Sequence, residues 1–301
     1  MTDPATAATG VSARPRGLFG DAWRDLRRRP MFWISSSIIL VIVVMAVFPS
    51  LFTSADPNLG DLQRQRQPPS AQAWFGYDNQ GYDIYARVIH GARASIVVGV
   101  LATLGVVLLG GIFGILAGYY GGWLDTVISR IADVFFGLPF VLGAIVILTT
   151  LNSAGDAGAV RIVVQVVLSI ALLSWPVSLR IMRSAAITAK QQDYVKAARA
   201  LGASGTRIIF RHLLPNCLAP VLVYATIALG AFIGVEATLS YLGIGLRPPV
   251  VSWGVMINDA RTYVRAAPHL LLFPAGFLVT TVLAFVMLGD AVREALDPRA
   301  R

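Results

Sequence analysis

Six stretches of this chain run for at least eighteen residues without a single Asp, Glu, Lys or Arg: 30–55, 94–124, 134–155, 162–179, 212–235 and 266–289. A helix rises 1.5 Å per residue and a bilayer's hydrocarbon core is roughly 30 Å thick, so about 20 mostly apolar residues suffice to cross it. The fifth stretch continues past Glu236 to Leu246, and only the polar patch from Asn152 to Gly158 separates the third from the fourth. Charged residues make up 14% of the 301 and hydrophobic ones 56%, with mean hydropathy +0.68. A soluble domain carries about 25% charge, so too few charges exist here to cover a water-facing surface. Intrinsic disorder, a disulfide scaffold (Cys217 stands alone) and an ordinary cytosolic enzyme are excluded together. The fold class expected is an all-α integral membrane protein with six transmembrane helices.

The cations set the orientation. With residue 1 in the cytoplasm, segments 1–32, 121–133, 180–211 and 290–301 carry seventeen Lys and Arg, whereas 53–93, 156–161 and 241–265 carry eight. Basic residues favour the cytoplasmic side, so both termini are expected inside. Arg27-Arg28-Arg29 ahead of an apolar run could open a secretion signal, but the run is about 20 residues, beyond the 7–15 of a signal core. A retained anchor is the expectation. The resulting division is a cytoplasmic tail 1–32, a first span 33–52, an external loop 53–93, a five-helix core 94–289 and a cytoplasmic tail 290–301. The tail from Met1 to about Gly17 is expected to be disordered.

Fuel and catalytic signatures are missing. Neither Lys190 nor Lys196 follows a Gly-rich turn, so no P-loop exists to hold ATP. His90, His212 and His269 are far apart with no His-Glu-x-x-His, and no Gly-x-Ser-x-Gly elbow occurs, so neither a metal site nor a serine nucleophile is supported. Asp133 and Asp290 fall at helix ends, where solvation explains them. The expectations are no catalysis, no metal, no cofactor on this chain and no nucleic-acid partner, the arginines lying between apolar runs rather than in one stripe.

The most informative stretch lies between spans four and five. Asp193-Tyr194-Val195-Lys196-Ala197-Ala198-Arg199-Ala200-Leu201-Gly202-Ala203-Ser204 leads to His212-Leu213-Leu214-Pro215. Good helix formers run from Ile187 to Leu201. Gly202 suits a left-handed helix end, and Ser204 suits the N-cap of a second helix reaching Pro215. Val195, Ala198 and Leu201–Gly202 recur at helical spacing, giving one face of small and apolar groups. A water-exposed helix has no use for such a face; a docked one does.

Lys196-Ala197-Ala198, three residues, Gly202, nine residues and then His212-Leu213-Leu214-Pro215 resembles the Glu-Ala-Ala-x3-Gly-x9-Ile-x-Leu-Pro loop of ATP-binding-cassette (ABC) importer permeases, with Lys196 in place of Glu and His212 in place of Ile. The branch that transports dipeptides, oligopeptides and nickel is similar in further stretches. These are Phe75-Gly76-Tyr77-Asp78, Tyr82 to Arg87, Gly91 to Ser95, Leu239 to Gly245, Pro248-Pro249, Ser252-Trp253-Gly254 and Gly289 to Pro298. The resemblance implies the type I ABC importer permease fold in a bacterial inner membrane. It also implies a coupling helix within 180–217 docking on an ATPase through Ala197, Ala198, Leu201 and Gly202, with Tyr194 and Lys196 at the rim. The implied partners are a homologous permease in a heterodimer, two cytoplasmic ATPases holding the ATP and Mg, an external solute-binding protein and membrane lipid. The alternative is a self-sufficient secondary transporter or channel. That class usually shows an inverted repeat and paired ionisable groups near mid-membrane, and only Glu236 qualifies.

Gly110, Gly114, Gly118 and Gly122 recur every four residues and are expected to form a helix-packing strip on span two. Glu236, the one acid well inside a span, is expected to bridge helices or to act in the pathway or gate, since an ionised acid facing lipid costs about 2.5–3.5 kcal/mol or more. Pro139, Pro176 and Pro274 are expected to kink spans. Arg180 and Arg183 are expected at lipid headgroups. Trp74 and Trp253 are expected at the outer interface or in loops.

Overall fold

A computed structural model of the chain describes residues 23–152 and 158–296. The tail to Gly17, most of the polar patch after Asn152 and the end beyond Leu296 lie outside those residues. The described regular structure is helical apart from one isolated bridge, Tyr77 to Asp83. Helix α1 is Pro30–Val47, α2 is Ile84–Tyr120, α3 is Gly122–Gly137, α4 is Phe140–Asn152 and α5 is Ala159–Lys190. Then follow α6, Asp193–Ala200, α7, Gly205–Tyr241, α8, Trp253–Ala260, and α9, His269–Leu296.

Five of these, α1, α2, α5, α7 and α9, are long and apolar enough to cross a membrane, and α3 with α4, bent by 94° at their break, make a sixth candidate if the pair is one span. Pro139 sits at the bend. It forces Leu138 out of helical geometry, to ψ 128°, and offers no N–H to continue the ladder. Pro176, Pro220 and Pro274 lie within α5, α7 and α9 without ending them. Pro215 does not end its helix either. A π-turn at Ile209–Leu213 absorbs the missing donor, and α7 runs on to Tyr241.

Two boundaries differ from a reading of charge-free runs. Span two begins at Ile84 rather than 94, with Asp83 as N-cap accepting from Tyr85 N (2.8 Å) and Ala86 N (3.2 Å). Its first turns tolerate charge because Arg87 is buried and pairs with Asp78 at 2.5 Å. The connection expected at 121–133 is mostly helix α3. Its acids are neutralised from α5: Asp125 accepts two bonds from Arg183, both 2.6 Å, and Asp133 accepts one from Arg180 at 3.1 Å. Arg180 and Arg183 therefore clasp α3 to α5.

Helix α2 lies along α5 by way of the glycine strip. A Cβ on Gly110 would stand 2.5 Å from Ser178 Cβ, one on Gly114 2.7 Å from Leu179 O, and one on Gly118 2.7 Å from Ala186 Cβ. Lipid supplies no hydrophobic force between spans, so this backbone approach is the source of attraction. Gly122 breaks the register: no atom lies within 4 Å of its would-be Cβ. With Gly121 it has positive φ (58° and 68°), so it turns the chain from α2 into α3 instead of extending the strip. Gly114→Val is expected to lower folded abundance in the membrane, at a cost of about 1–3 kcal/mol from overpacking. Gly111→Ala, whose Cβ meets only Met182 at 3.6 Å, is expected to be neutral. Thermal unfolding of the two purified variants in detergent separates them.

Arg29 before α1 and Glu294 near the end of α9 form an ion pair, so both ends of the described chain lie on one face. The α2–α3 turn, α6 and the start of α7 share that face, since Lys190 touches Gly118 and Gly205 adjoins Tyr119. The loop 53–83, α8 and the start of α9 lie on the other.

Candidate functional site

Helix α5 ends where Lys190 Nζ donates to Gly118 O (2.9 Å) and Tyr119 O (3.2 Å), supplying the last carbonyls of α2 with a cation. The chain breaks at Gln191–Gln192 and restarts as α6. Val195 is fully buried among Met182, Ala186, Ile208, Leu213 and Cys217, which fixes one side of α6 to the bundle. That corrects the expected face. Val195 points inward, whereas Tyr194, Ala197 and Leu201 are exposed on the far side, with Ala198 half-buried beside them. Leu201, at the end of α6, is 88% exposed.

The end of α6 is rigid. Gly202, at φ 79°, donates to Arg199 O (3.0 Å), and Ala203 N donates to Ala198 O (3.1 Å), the paired bonds of a Schellman turn. Ser204 Oγ then accepts from Arg207 N at 3.3 Å and caps α7. Lys196 pairs with Asp193 at 3.1 Å on an exposed surface, where such a bridge contributes less than about 1 kcal/mol. The Tyr194 ring lies 6.5 Å from that of His212. Burial pushes the Tyr194 phenol above its ordinary value, with a smaller push from Cys217, so it stays a neutral donor at the rim of the face.

A second constellation sits near the opposite face. Glu236 has no exposed surface. Its carboxylate accepts from Ser240 Oγ (2.8 Å, same helix), Ser252 Oγ (3.0 Å, ahead of α8) and Ser95 Oγ (3.0 Å, on α2). One acid thereby ties α2, α7 and the α8 segment together. Trp253 is fully buried beside it and donates from Nε1 to Val88 O at 2.9 Å, so it is a core residue rather than an interfacial one. The loop 53–83 is held down by Phe75 stacked on Phe273 (3.9 Å between centroids) and by the Arg87–Asp78 pair, while Trp74 leans on Tyr85.

Ser240 is visible from sequence as the i+4 neighbour of Glu236. Ser95 and Ser252 carry no local signal and are brought in only by the fold. No group of three or more His, Cys, Asp or Glu able to hold a metal occurs among the described residues.

An all-helical bundle with up to six candidate crossings defines an integral membrane protein. Residues 110–301 match the family described as binding-protein-dependent transport system inner membrane component, and residues 17–69 match the N-terminal TM domain of oligopeptide transport permease C. The chain belongs to the family of inner-membrane permease components of binding-protein-dependent ABC importers. It is 37% identical over 281 residues to the dipeptide transport system permease protein DppC of Alkalihalophilus pseudofirmus, covering 93% of this chain and 90% of that one. It is 38% identical over 280 residues to the glutathione transport system permease protein GsiD of Escherichia coli, with the same coverages. The oligopeptide transport system permease protein OppC of Bacillus subtilis is 35% identical over 305 residues, 100% of this chain and 97% of that one. Among solved structures, the inward-facing MetNI methionine ABC transporter shares the fold at TM-score 0.57 and 19% identity, over 70% of this chain and 96% of that one. The protein is thus a non-catalytic, multi-pass permease of the bacterial inner membrane. Membership implies an ATP-hydrolysing partner and a solute-binding partner.

Proposed function

We propose that this chain forms half of the translocation pathway of a di- or oligopeptide importer, paired with a homologous permease, two cytoplasmic ATPases and an external binding protein. ATP and Mg belong to the ATPases. The exposed Tyr194–Ala197–Leu201 face of α6 carries this reading. It is apolar, small at its centre and fixed to the bundle through Val195, so force applied to it reaches α5 and α7 directly. Small side chains let a partner's surface approach the helix backbone, and the Schellman turn at Gly202 keeps α6 from fraying under load. Closure of two ATPases on ATP would pull two such helices together and rock the permease halves. Peptide cargo is supported by relatives named for dipeptide, oligopeptide and glutathione transport.

The test is purification of the tagged chain from its native membrane in mild detergent, followed by identification of the subunits that accompany it. Recovery of one homologous permease and ATPase subunits is expected. Recovery without any ATPase, together with solute flux by the chain alone in liposomes, would establish a secondary transporter instead.

A further inference from the structure

We propose that the face bearing α6 carries a binding site for one anionic phospholipid of the cytoplasmic leaflet. Two cavities that share Tyr120 in their walls support it. One is a cleft of about 870 Å³ lined by Tyr119, Tyr120, Lys190, Lys196, Arg199 and Gly205. The other is a groove of about 430 Å³ running between α2 and α7, lined by Leu108, Gly111, Ile112, Met182, Ile209 and Phe210 among other residues, with Tyr120 at its end.

The first cavity has the chemistry of a headgroup site. Lys190 is fixed at its floor by the carbonyls of Gly118 and Tyr119. The Arg199 guanidinium lies 6.0 Å from the Tyr119 ring, and among the described residues no carboxylate pairs with it. Lys196 is shared with a single exposed acid, Asp193. Both tyrosine hydroxyls come up against the start of α7, 3.3 Å and 3.7 Å from a Cβ placed on Gly205. Three cations, two hydroxyls and no acid lining the cleft suit a phosphate diester.

The second cavity has the chemistry of a tail site. It is almost wholly apolar, and it extends along α2 from Val107 to Tyr120, about 20 Å at 1.5 Å per residue. That exceeds one leaflet's share, about half, of a roughly 30 Å hydrocarbon core. A free phosphate would fill the cleft and leave the groove vacant; a neutral apolar segment of a partner would fill the groove and leave the cations unmatched. A phospholipid with a negative headgroup matches both, and basic pockets between spans on the cytoplasmic side bind such headgroups. The bound headgroup would bridge the ends of α2 and α5 to α6, the helix through which transport is driven. The cytoplasmic placement of α6 is taken from the transport reading above.

The experiment is native mass spectrometry of the intact transporter complex, titrated with dioleoylphosphatidylglycerol, with dioleoylphosphatidylcholine of identical tails, and with sodium phosphate. Preferential retention of phosphatidylglycerol is expected. Arg199→Gln should reduce that preference roughly fivefold, about the effect of one cation near an anionic surface, and Gly111→Leu should weaken both lipids alike by filling the groove. Equal retention of the two lipids overturns the proposal. Displacement of phosphatidylglycerol by millimolar phosphate makes the cleft a phosphate site and overturns it too. Loss of the partner permease from Gly111→Leu, with lipid retention unchanged, assigns the groove to a subunit contact and overturns it as well. Absence of ATPase from the same spectra would sink the transport reading while leaving the lipid measurement standing.

Discussion

Replacing Ala197 and Ala198 together with glutamate is expected to abolish solute accumulation while the chain remains in the membrane at normal abundance. Ala197 is exposed on the side of α6 turned away from the bundle, and Ala198, three residues from the buried Val195, is half-buried at the margin of that side. Glutamate is a good helix former, and Val195, which anchors α6, is untouched. The cost to folding should therefore stay near the few tenths of a kcal/mol typical of surface changes. Docking is a different matter. Two carboxylates and several methylenes placed at the centre of an apolar contact hold the surfaces apart and must be desolvated without partners. Central positions of an interface commonly cost about 2 kcal/mol or more when disturbed, so a loss of at least roughly thirtyfold in ATPase affinity is expected. The readouts are co-purification of the ATPase and binding-protein-stimulated ATP hydrolysis in liposomes. Leu201→Asp should act in the same direction, because a leucine 88% exposed in the isolated subunit contributes little to that subunit's own fold. Normal accumulation by the double variant would remove α6 from the drive mechanism.

Five long helices were legible as spans because charge is expensive in hydrocarbon, so its absence marks a span without reference to any other part of the chain, whereas the third run is divided between α3 and α4 at a 94° bend. The same rule misplaced the ends of helices where a charge is neutralised by a distant residue. Asp125 and Asp133 look like loop residues until Arg183 and Arg180 arrive from α5, some fifty positions later. Arg87 looks like the boundary of a loop until Asp78 folds back over it. The segment from Asp193 to Pro215 was readable as a capped pair of helices, Gly202 and Ser204 taking the geometry their chemistry favours. Its outward face was misjudged by one position: periodicity groups Val195 with Ala198, and only the core around Cys217 decides that Val195 is the buried member. The glycine strip was legible over three of its four members. The fourth, Gly122, shares the spacing but belongs to the turn, where φ rather than clearance demands glycine. The cleft around Lys190 was not legible at all, since it gathers residues from α2, α5, α6 and the start of α7.

Glu236→Leu is expected to be the most damaging single substitution in the half of the bundle away from α6. The wild-type acid, with no exposed surface, satisfies the hydroxyls of Ser95, Ser240 and Ser252, which are themselves buried. Leucine removes every one of those acceptors at once. A buried polar group left without a partner costs about 1–3 kcal/mol, and Ser240 Oγ keeps only its bond from Leu246 N (2.9 Å) and Ser252 Oγ only its bond from Val255 N (3.3 Å). Ser95 loses its sole named partner. Summed over the three, the loss is comparable with the 5–15 kcal/mol that holds a typical domain together, so little or no folded protein should be recovered from the membrane. Glu236→Gln separates shape from charge. The amide keeps Oε1 as an acceptor for Ser240 and Ser252, and its NH₂ can donate to Ser95 Oγ once that hydroxyl turns. Abundance and unfolding temperature are therefore expected close to wild type. Among the described residues the side chain of Glu236 meets three serines and makes no ion pair, which is the geometry of a brace holding α2, α7 and the α8 segment as one body. A brace needs the hydrogen bonds and not the charge, so transport by Glu236→Gln should stay within about twofold of wild type, well under the tenfold that 1.4 kcal/mol would produce. A large fall in transport at undiminished abundance would instead show that Glu236 works as a charge in the pathway or gate.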